Sequence, residues 1–225
     1  MLNFDSTVAN ISGWLTKQEG AFLYESARKL SRRGIVIEIG SWKGRSTICF
    51  GSGSKDGQGA TTYSIDPHTG SSEHIRQFGK VDTYDEFLKN IKVTEVHKYI
   101  VPVRKTSEEA SKNFDKKVDF ILVDGAHEYV YVNKDYKLWF PKLKNGGIIA
   151  FHDCYQALGV HLLTALILVT SSKVKDPKLV DTLTIIKKIE RNSLTDRFNN
   201  ILFVLYRLLF GWIGVLKIDY FGTIE

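Results

Sequence analysis

The fold of this chain is most constrained by the alternation of short β-branched runs with helical segments from its N-terminal part to about residue 155. Five such runs are mostly apolar and lie roughly 15 to 35 residues apart, a spacing that favours buried parallel strands with crossover helices over an antiparallel sandwich. The predicted strands are Gly34–Ile39, Thr61–Ile65, Tyr99–Val103, Asp119–Val123 and Gly147–Phe151.

Helical segments lie between these strands. Thr16 and Glu19 form a predicted capping box, and an apolar stripe over 22–30 follows it. Residues 85–91 and 130–140 have the same apolar spacing. The pattern predicts a doubly wound α/β sheet, Rossmann-like with helices on both faces, whose ligand site lies at the carboxyl ends of the strands.

The pattern is looser in the last third of the chain. It predicts a helix over 160–169, a strand over 180–189 and a last strand over 212–219. We expect a single domain, because α/β folds of 225 residues commonly stay undivided. Its parts would be a helical lead-in (1–32), a cofactor-binding core (33–155) and a C-terminal part that completes the sheet (156–225).

The distribution of charge and the cysteine content indicate which partners and which cellular compartment to expect. The net charge is +6, but the lysines and arginines are spread along the chain, so we expect no nucleic-acid partner. Cys49 and Cys154 stand outside any metal-ligand spacing and are expected to be buried and reduced. The N-terminus shows no basic region followed by an apolar one, which predicts a cytoplasmic location.

Residues 201–216 form the most apolar segment of the chain. The segment is shorter than the ~20 residues that a membrane span needs, and Arg207 lies near its middle. We therefore expect no transmembrane span but a core helix that runs into the last strand. Alternatively, this segment could touch a membrane surface peripherally or form the contact face of a homo-oligomer. A homo-oligomer is the assembly that we expect.

The first predicted strand ends in a glycine turn. Glu38 is followed by Gly40 and Gly44, and glycine lets the backbone approach a ligand closely while the next helix presents its N-terminal amides. A dinucleotide-binding dehydrogenase would need the G-x-G-x-x-G spacing, which is absent here. Glu38 would repel a pyrophosphate and attract a cationic amino acid group. An ordinary strand-to-helix turn is the alternative.

Acidic and imidazole groups follow the other predicted strands. Asp66 ends the second strand at the place of a ribose-binding carboxylate, although it could simply be a turn residue. Asp124 follows the fourth strand, and His152 and Asp153 end the fifth, with His127 at the rim of the same cleft. Carboxylates with an imidazole suit a divalent metal ion. The two acids could instead cap helices or line a cofactor pocket.

With these residues in place, the chain resembles the class I S-adenosylmethionine-dependent methyltransferases. Within them it is similar to the metal-dependent O-methyltransferases, such as the catechol and macrolide-sugar enzymes. The pattern acid-x-Gly-x-aromatic-x-Gly-x-Ser carries the resemblance, which covers about residues 12 to 155. The cofactor-contacting residues that it implies are Glu38, Gly40, Ser41, Trp42, Gly44, Ser46, Asp66, His68, Ser107, Glu108 and Asp124.

The resemblance also implies a catalytic arrangement. Asp124, His152 and Asp153 would bind Mg²⁺ or Mn²⁺, and His127 would take the proton of the acceptor hydroxyl. His152 departs from the catechol-type enzymes, which have a carboxylate there. Because Mg²⁺ prefers oxygen ligands, this departure leaves open which metal is bound and whether one is bound at all.

The implied reaction is methyl transfer to a hydroxyl of a sugar, a phenol, a glycan or another small polyhydroxylated acceptor. The acceptor pocket would be built from the lead-in, the loop 69–80 and the region after Cys154. Three other functions stay open: a metal-independent methyltransferase with His127 or His152 as base, a nicotinamide-dependent oxidoreductase, and a binding module without activity that makes contact through 201–216.

Overall fold

The computed structural model describes residues 4–71, 75–76 and 79–215. These residues form a seven-stranded sheet of order β3-β2-β1-β4-β5-β7-β6. β1 to β5 are parallel, β7 is antiparallel to β5, and β6 is antiparallel to β7. The strands are β1 Ile35–Ile39, β2 Thr61–Ile65, β3 Ile100–Val103, β4 Val118–Val123, β5 Leu143–Phe151, β6 Val174–Val180 and β7 Leu183–Lys188.

Helices connect the strands and cover both faces of the sheet. Short 3₁₀ turns at His97–Tyr99 and Phe140–Lys142 lead into β3 and β5. The α-helices are α1 Phe4–Thr7, α2 Lys17–Arg28, α3 Arg45–Asp56, α4 Tyr84–Val93, α5 Ser107–Lys112, α6 Tyr129–Trp139, α7 Leu158–Thr170 and α8 Leu194–Val215.

The apolar strands divide their side chains between two cores. Successive residues of a strand point to opposite faces of the sheet. Ile37 and Ile121 therefore pack in a cluster with Trp139 of α6, whereas Val36 and Phe120 pack on the other face with helices α2 and α3. Burial on both faces explains why β1 and β4 are nearly continuous apolar runs. The predicted doubly wound α/β class is confirmed.

The order of the sheet places the ligand site. The chain passes outward from β1 through β2 to β3, then returns to add β4 and β5 on the other side of β1. A crevice opens above the carboxyl ends of the strands at such a switch point. The loops after β1 and β4 meet there, where the amide of Asp124 donates to the carbonyl of Ile39 at 2.8 Å.

The C-terminal part departs from the predicted elements in two places. The strand expected over 180–189 is β7, but its partner β6 is missing from the sequence prediction. β6 reads VKDPKLV, in which Pro177 and charged residues hide the apolar alternation of a strand. Pro177 is tolerated because β6 lies at the edge of the sheet, where one side of the strand needs no hydrogen bonds to a neighbour.

The strand predicted over 212–219 is wrong where the structure describes it. Helix α8 continues to Val215, and residues 216–219 lie outside the described part of the chain. The helix is favoured because Arg207, buried in its middle, donates to Thr164, Thr184 and the carbonyl of His161. Among the described residues, no helix is long and apolar enough to cross a bilayer.

Candidate active site

A cavity of about 610 Å³ lies at the carboxyl ends of β1, β2, β4 and β5. The lead-in contributes Ser12 to Leu15 to its wall, and the described part of the loop 69–80 contributes Gly70 and Ser71. Of the residues predicted to form the site, those on the wall are Gly40, Ser41, Trp42, Ser46, Asp66, Ser107, Glu108, Asp124, His127, His152 and Asp153.

The glycine turn after β1 is required by a close backbone contact. Gly40 has φ +87°, and a Cβ there would lie 2.1 Å from the carbonyl oxygen of Asp124. Gly44 has φ +93° and precedes the first residue of α3. Both conformations favour glycine. Gly44 packs against Phe87 and is not on the cavity wall, so its predicted cofactor role is limited to shaping the turn.

Glu38 lies behind the turn rather than on the cavity wall. Its carboxylate is fully buried and accepts hydrogen bonds from Ser46 (2.6 Å), Thr47 (2.5 Å) and Ser64 (2.9 Å). Burial raises the pKa of Glu38 to about 7, although the three hydroxyl groups favour the ionised form. The expected contact with a cationic ligand group therefore has no support in this geometry. Instead, Glu38 ties β1 to β2 and α3.

Asp66 links the turns after β1 and β2. Its carboxylate accepts hydrogen bonds from the backbone amides of Ser41 (2.8 Å), Trp42 (2.9 Å) and His68 (2.6 Å), and it reaches the cavity wall. Three donors already fix its orientation. A carboxylate has about four lone-pair sites, so Asp66 can still accept from a ligand hydroxyl.

His68 points away from the cavity. It is 2 % exposed, its Nδ1 lies 2.9 Å from the hydroxyl of Thr83, and its ring contacts Tyr84 and Phe87 of α4. Burial lowers the pKa of His68. Its backbone has φ +60°, which turns the chain after Pro67 so that the side chain faces α4. The implied contact between His68 and a cofactor is not supported.

The N-terminus of α5 forms the opposite end of the cavity. Ser107 accepts a hydrogen bond from Nε1 of Trp139 at 2.9 Å, and Glu108 pairs with Lys134. Asp135, which the sequence interpretation did not select, also lies on the wall and hydrogen-bonds Ser107. Burial raises its pKa to about 6. Asp135 lies on the buried face of a predicted helix, where the sequence pattern indicates core residues rather than site residues.

Asp124, His152 and Asp153 form a compact cluster on the wall of the cavity. Nδ1 of His152 lies 3.0 Å from Oδ1 of Asp124 and 3.3 Å from Oδ2 of Asp153. One ligand atom from each residue lies within 4.8 Å of the others. The second oxygen of Asp153, Oδ1, is buried and has no hydrogen-bond partner among the described residues. These are the three residues that the sequence predicts as metal ligands.

The cluster perturbs the protonation of its own members. Burial lowers the pKa of His152, but the charges of Asp124 and Asp153 outweigh burial and hold it well above the usual value. Burial raises the pKa of Asp124. In Asp153 the adjacent His152 outweighs burial, so the pKa of that carboxyl is lowered. The cluster concentrates negative charge around one imidazole, as a cation-binding site requires.

His127 lies on the loop between β4 and α6. Its Nε2 is 3.4 Å from Oδ2 of Asp153, and its side chain, 23 % exposed, lines the cavity. The start of α7 supports this loop, because a Cβ on Gly159 would lie 2.4 Å from the carbonyl oxygen of His127. The predicted base therefore lies on the cavity wall beside the cluster.

Glu19 is a further residue that the sequence did not point to. It is fully buried, and its Oε2 lies 3.3 Å from Nε2 of His152. Burial raises its pKa, but the bonds with His152 and Thr182 outweigh burial and lower it. The only sequence signal was its capping-box position, which the structure confirms through Thr16.

The chain belongs to a family of methyltransferase domains, which residues 37–154 match. An uncharacterized protein, y4gI of Sinorhizobium fredii, is 32% identical over 144 residues. That match covers 63% of this chain and 15% of the relative, so the chain spans a small part of that protein's length.

Solved O-methyltransferases share the fold. The chain is similar to NovP (TM-score 0.65, 11% identity, 77% of this chain and 80% of that one). TomG of Streptomyces achromogenes, solved in complex with S-adenosylmethionine, matches with a TM-score of 0.57 at 14% identity, over 78% of this chain and 81% of that one. An O-methyltransferase of Bacillus cereus, solved with S-adenosylhomocysteine, matches with a TM-score of 0.56 at 16% identity, over 81% of this chain and 86% of that one. The resemblance to class I methyltransferases is confirmed.

Proposed function

We propose that this protein transfers a methyl group from S-adenosylmethionine to a hydroxyl of a small acceptor with the help of a divalent metal ion. The observation that carries the proposal is the cluster of Asp124, His152 and Asp153 in the same cavity as the glycine turn. Methyl donor and metal-bound acceptor would therefore be neighbours. S-adenosylmethionine supplies an electrophilic methyl on its sulfonium.

The cavity offers groups for the ribose and the adenine of this donor. Asp66 can accept from ribose hydroxyls, and the amides at the start of α3 face the glycine turn. Ser107 and the carboxylate of Asp135 lie at the far end, where they can accept a hydrogen bond from the adenine amino group. TomG and the Bacillus cereus enzyme, both similar in fold, were solved with the donor and its product.

The three clustered residues fit a divalent ion. The unpartnered buried oxygen of Asp153 and the close approach of His152 to both acids suit a site completed by a cation. When bound, such an ion would lower the pKa of an acceptor hydroxyl and fix its position. Asp124 and Asp153 would supply oxygen ligands, and Nδ1 of His152 would supply nitrogen. An imidazole ligand makes Mn²⁺ as suitable as Mg²⁺.

His127 is the proposed base. It lines the cavity beside Asp153, within reach of an acceptor held at the cluster. Taking the hydroxyl proton as the oxygen attacks the methyl group is the task of a general base, and an unprotonated imidazole nitrogen can accept that proton. Replacing His127 by alanine is expected to lower turnover by about 100-fold or more.

The acceptor is proposed to be a sugar, a phenol or a similar hydroxylated small molecule. The lead-in places Trp14 beside Trp42 at the cavity, with ring centroids 6.0 Å apart. Aromatic faces of this kind pack against sugar and phenol rings, while neighbouring hydroxyls can chelate a metal ion. NovP, which shares the fold, is an O-methyltransferase.

Metal-independent transfer is the second candidate. His152 already lies near a carboxylate at each ring nitrogen, so the cluster can also be held together as an ion network without a metal. Chelation separates the two candidates. Treatment with EDTA is expected to abolish methyl transfer, and adding Mg²⁺ or Mn²⁺ is expected to restore it. Full activity after chelation would establish the metal-independent reaction.

We further propose that the protein is a homodimer paired through helices α7 and α8. Apolar side chains are exposed along both helices, and contiguous apolar patches of this kind mark interaction surfaces. Every exposed residue from 201 to 209 is apolar or tyrosine, a composition that suits pairing with the same face of a second copy. The exposed side chains are Leu158, Leu162, Leu166, Val169, Leu194, Phe198, Ile201, Leu202, Leu205, Tyr206, Leu208 and Leu209.

A further inference from the structure

A buried acid stands behind the proposed metal site, outside the cavity. Glu19 begins the buried face of α2 and is fully inaccessible, yet it reaches His152, 133 residues away in sequence. Burying a carboxylate costs free energy unless its oxygens are hydrogen-bonded. A glutamate can cap the start of a helix while it stays exposed to solvent, so capping α2 does not explain why Glu19 is buried. Its burial therefore indicates a second role.

Each oxygen of Glu19 has defined partners. Oε1 accepts from the amide (2.8 Å) and the hydroxyl (2.6 Å) of Thr182, in the turn between β6 and β7. Oε2 accepts from the amide of Thr16 at 2.8 Å and lies 3.3 Å from Nε2 of His152. Among the described residues, the hydrogen-bond partners of the carboxylate are therefore Thr16, Thr182 and the imidazole of His152. The carboxylate cannot rotate without breaking bonds with Thr182.

We propose that Glu19 is a positioning residue that keeps the proton of His152 on Nε2, so that Nδ1 is directed at the metal together with Asp124 and Asp153. This inference rests on the proposed metal-assisted function. An imidazole binds a metal through its unprotonated nitrogen, and a carboxylate at the other nitrogen decides which one that is. A carboxylate ligand at position 152 would have no tautomer to select. The histidine has two, and Glu19 selects the one that can bind a metal.

The chain contains a matched control. Thr106 and Glu109 form a second capping box with the same Thr-x-x-Glu pattern, at the start of α5. Glu109 is exposed and bonds only with Thr106 among the hydrogen bonds resolved in the described residues. Glu109→Gln therefore reproduces the change to a helix cap without touching a histidine.

The test compares Mn²⁺ binding by wild type, Glu19→Gln and Glu109→Gln, measured by electron paramagnetic resonance without substrate. An amide at position 19 can donate to Nε2 and leave the proton on Nδ1. We expect Glu19→Gln to bind Mn²⁺ about 10- to 100-fold more weakly, and Glu109→Gln to bind it like wild type. Equal affinity in wild type and a folded Glu19→Gln variant would overturn the inference while leaving the metal site intact.

A measurement on the wild type keeps the inference testable if Glu19→Gln does not fold. In the Mg²⁺-loaded protein, ¹⁵N spectra of His152 are expected to show a proton on Nε2 and none on Nδ1. A proton on Nδ1 would contradict the role of Glu19. If the wild type binds neither ion, the metal component of the proposed function fails together with this inference, whereas binding of S-adenosylhomocysteine would still uphold the methyl-donor site.

Discussion

Three carboxylates in and behind this site differ in the groups that surround them, and these groups decide the role of each carboxylate. Glu38 is enclosed by hydroxyl groups, Asp66 by backbone amides, and Asp124 by an imidazole. Burial raises the pKa of Glu38 to about 7, and the neutral hydroxyl donors offset this effect only in part. The environment of each acid, rather than its place after a strand, decides whether it can serve a ligand.

The raised pKa of Glu38 predicts a dependence of stability on pH. Its folded pKa of about 7 exceeds the usual 4.5, so between these values the folded state binds more protons than the unfolded state. The free energy of unfolding therefore falls as pH rises from 4.5 through 7, by about 3 kcal/mol from this group.

Urea denaturation of wild type and Glu38→Gln at pH 5 and pH 8 isolates this contribution. Because the other titrating groups are common to both proteins, their effects cancel in the difference. The free energy of unfolding of the variant is expected to improve relative to wild type as pH rises. A difference that does not change with pH would show that Glu38 has the same pKa in both states.

At the scale of elements, the approach of α7 to the loop after β4 controls the position of His127. Gly159 contacts the backbone of residues 127–129 so closely that a Cβ would lie 2.4 Å from two of its atoms. Gly159→Ala must therefore displace the loop or the start of the helix. Asp66 and Ser107, which we propose to contact the methyl donor, lie elsewhere in the cavity and are expected to stay in place.

Gly159→Ala is expected to lower kcat by about 10-fold or more while leaving the affinity for S-adenosylhomocysteine within about 2-fold of wild type, because a misplaced base affects only the chemical step. Methyl-transfer kinetics and calorimetry measure the two quantities. Equal losses of both would indicate general damage to the fold, and unchanged kcat would remove His127 from the mechanism.

The sequence predicts the parallel part of the sheet well, because β1 and β4 are mostly apolar runs buried on both faces of the sheet. The sequence also predicts that Asp124, His152 and Asp153 lie close together, because neighbouring parallel strands end at the same edge of the sheet. It cannot predict the direction of a side chain within a turn, so it gives no warning that His68, for which the resemblance implies a cofactor contact, faces Thr83 and α4 instead. β6 and Glu19 depend on contacts between distant segments, for which a local pattern carries no signal.

At the scale of the whole molecule, the apolar face of α7 and α8 predicts a dimer. Leu205 and Leu209 are 48 % and 70 % exposed on neighbouring turns of α8. Leu205→Glu/Leu209→Glu would place two charges in the proposed interface and is expected to give a monomer, whereas wild type and Val93→Glu, a control at an exposed apolar position of α4, stay dimeric. Light scattering coupled to size exclusion measures the mass. A monomeric wild type would rule the dimer out.

We expect the cavity above β1 and β2 to bind S-adenosylmethionine, and calorimetry with S-adenosylhomocysteine and, separately, with NADH measures this directly. Wild type is expected to bind S-adenosylhomocysteine saturably and one to one, with an affinity that falls by about 10-fold or more in Asp66→Ala, and not to bind NADH. Binding of NADH without binding of S-adenosylhomocysteine would contradict this expectation.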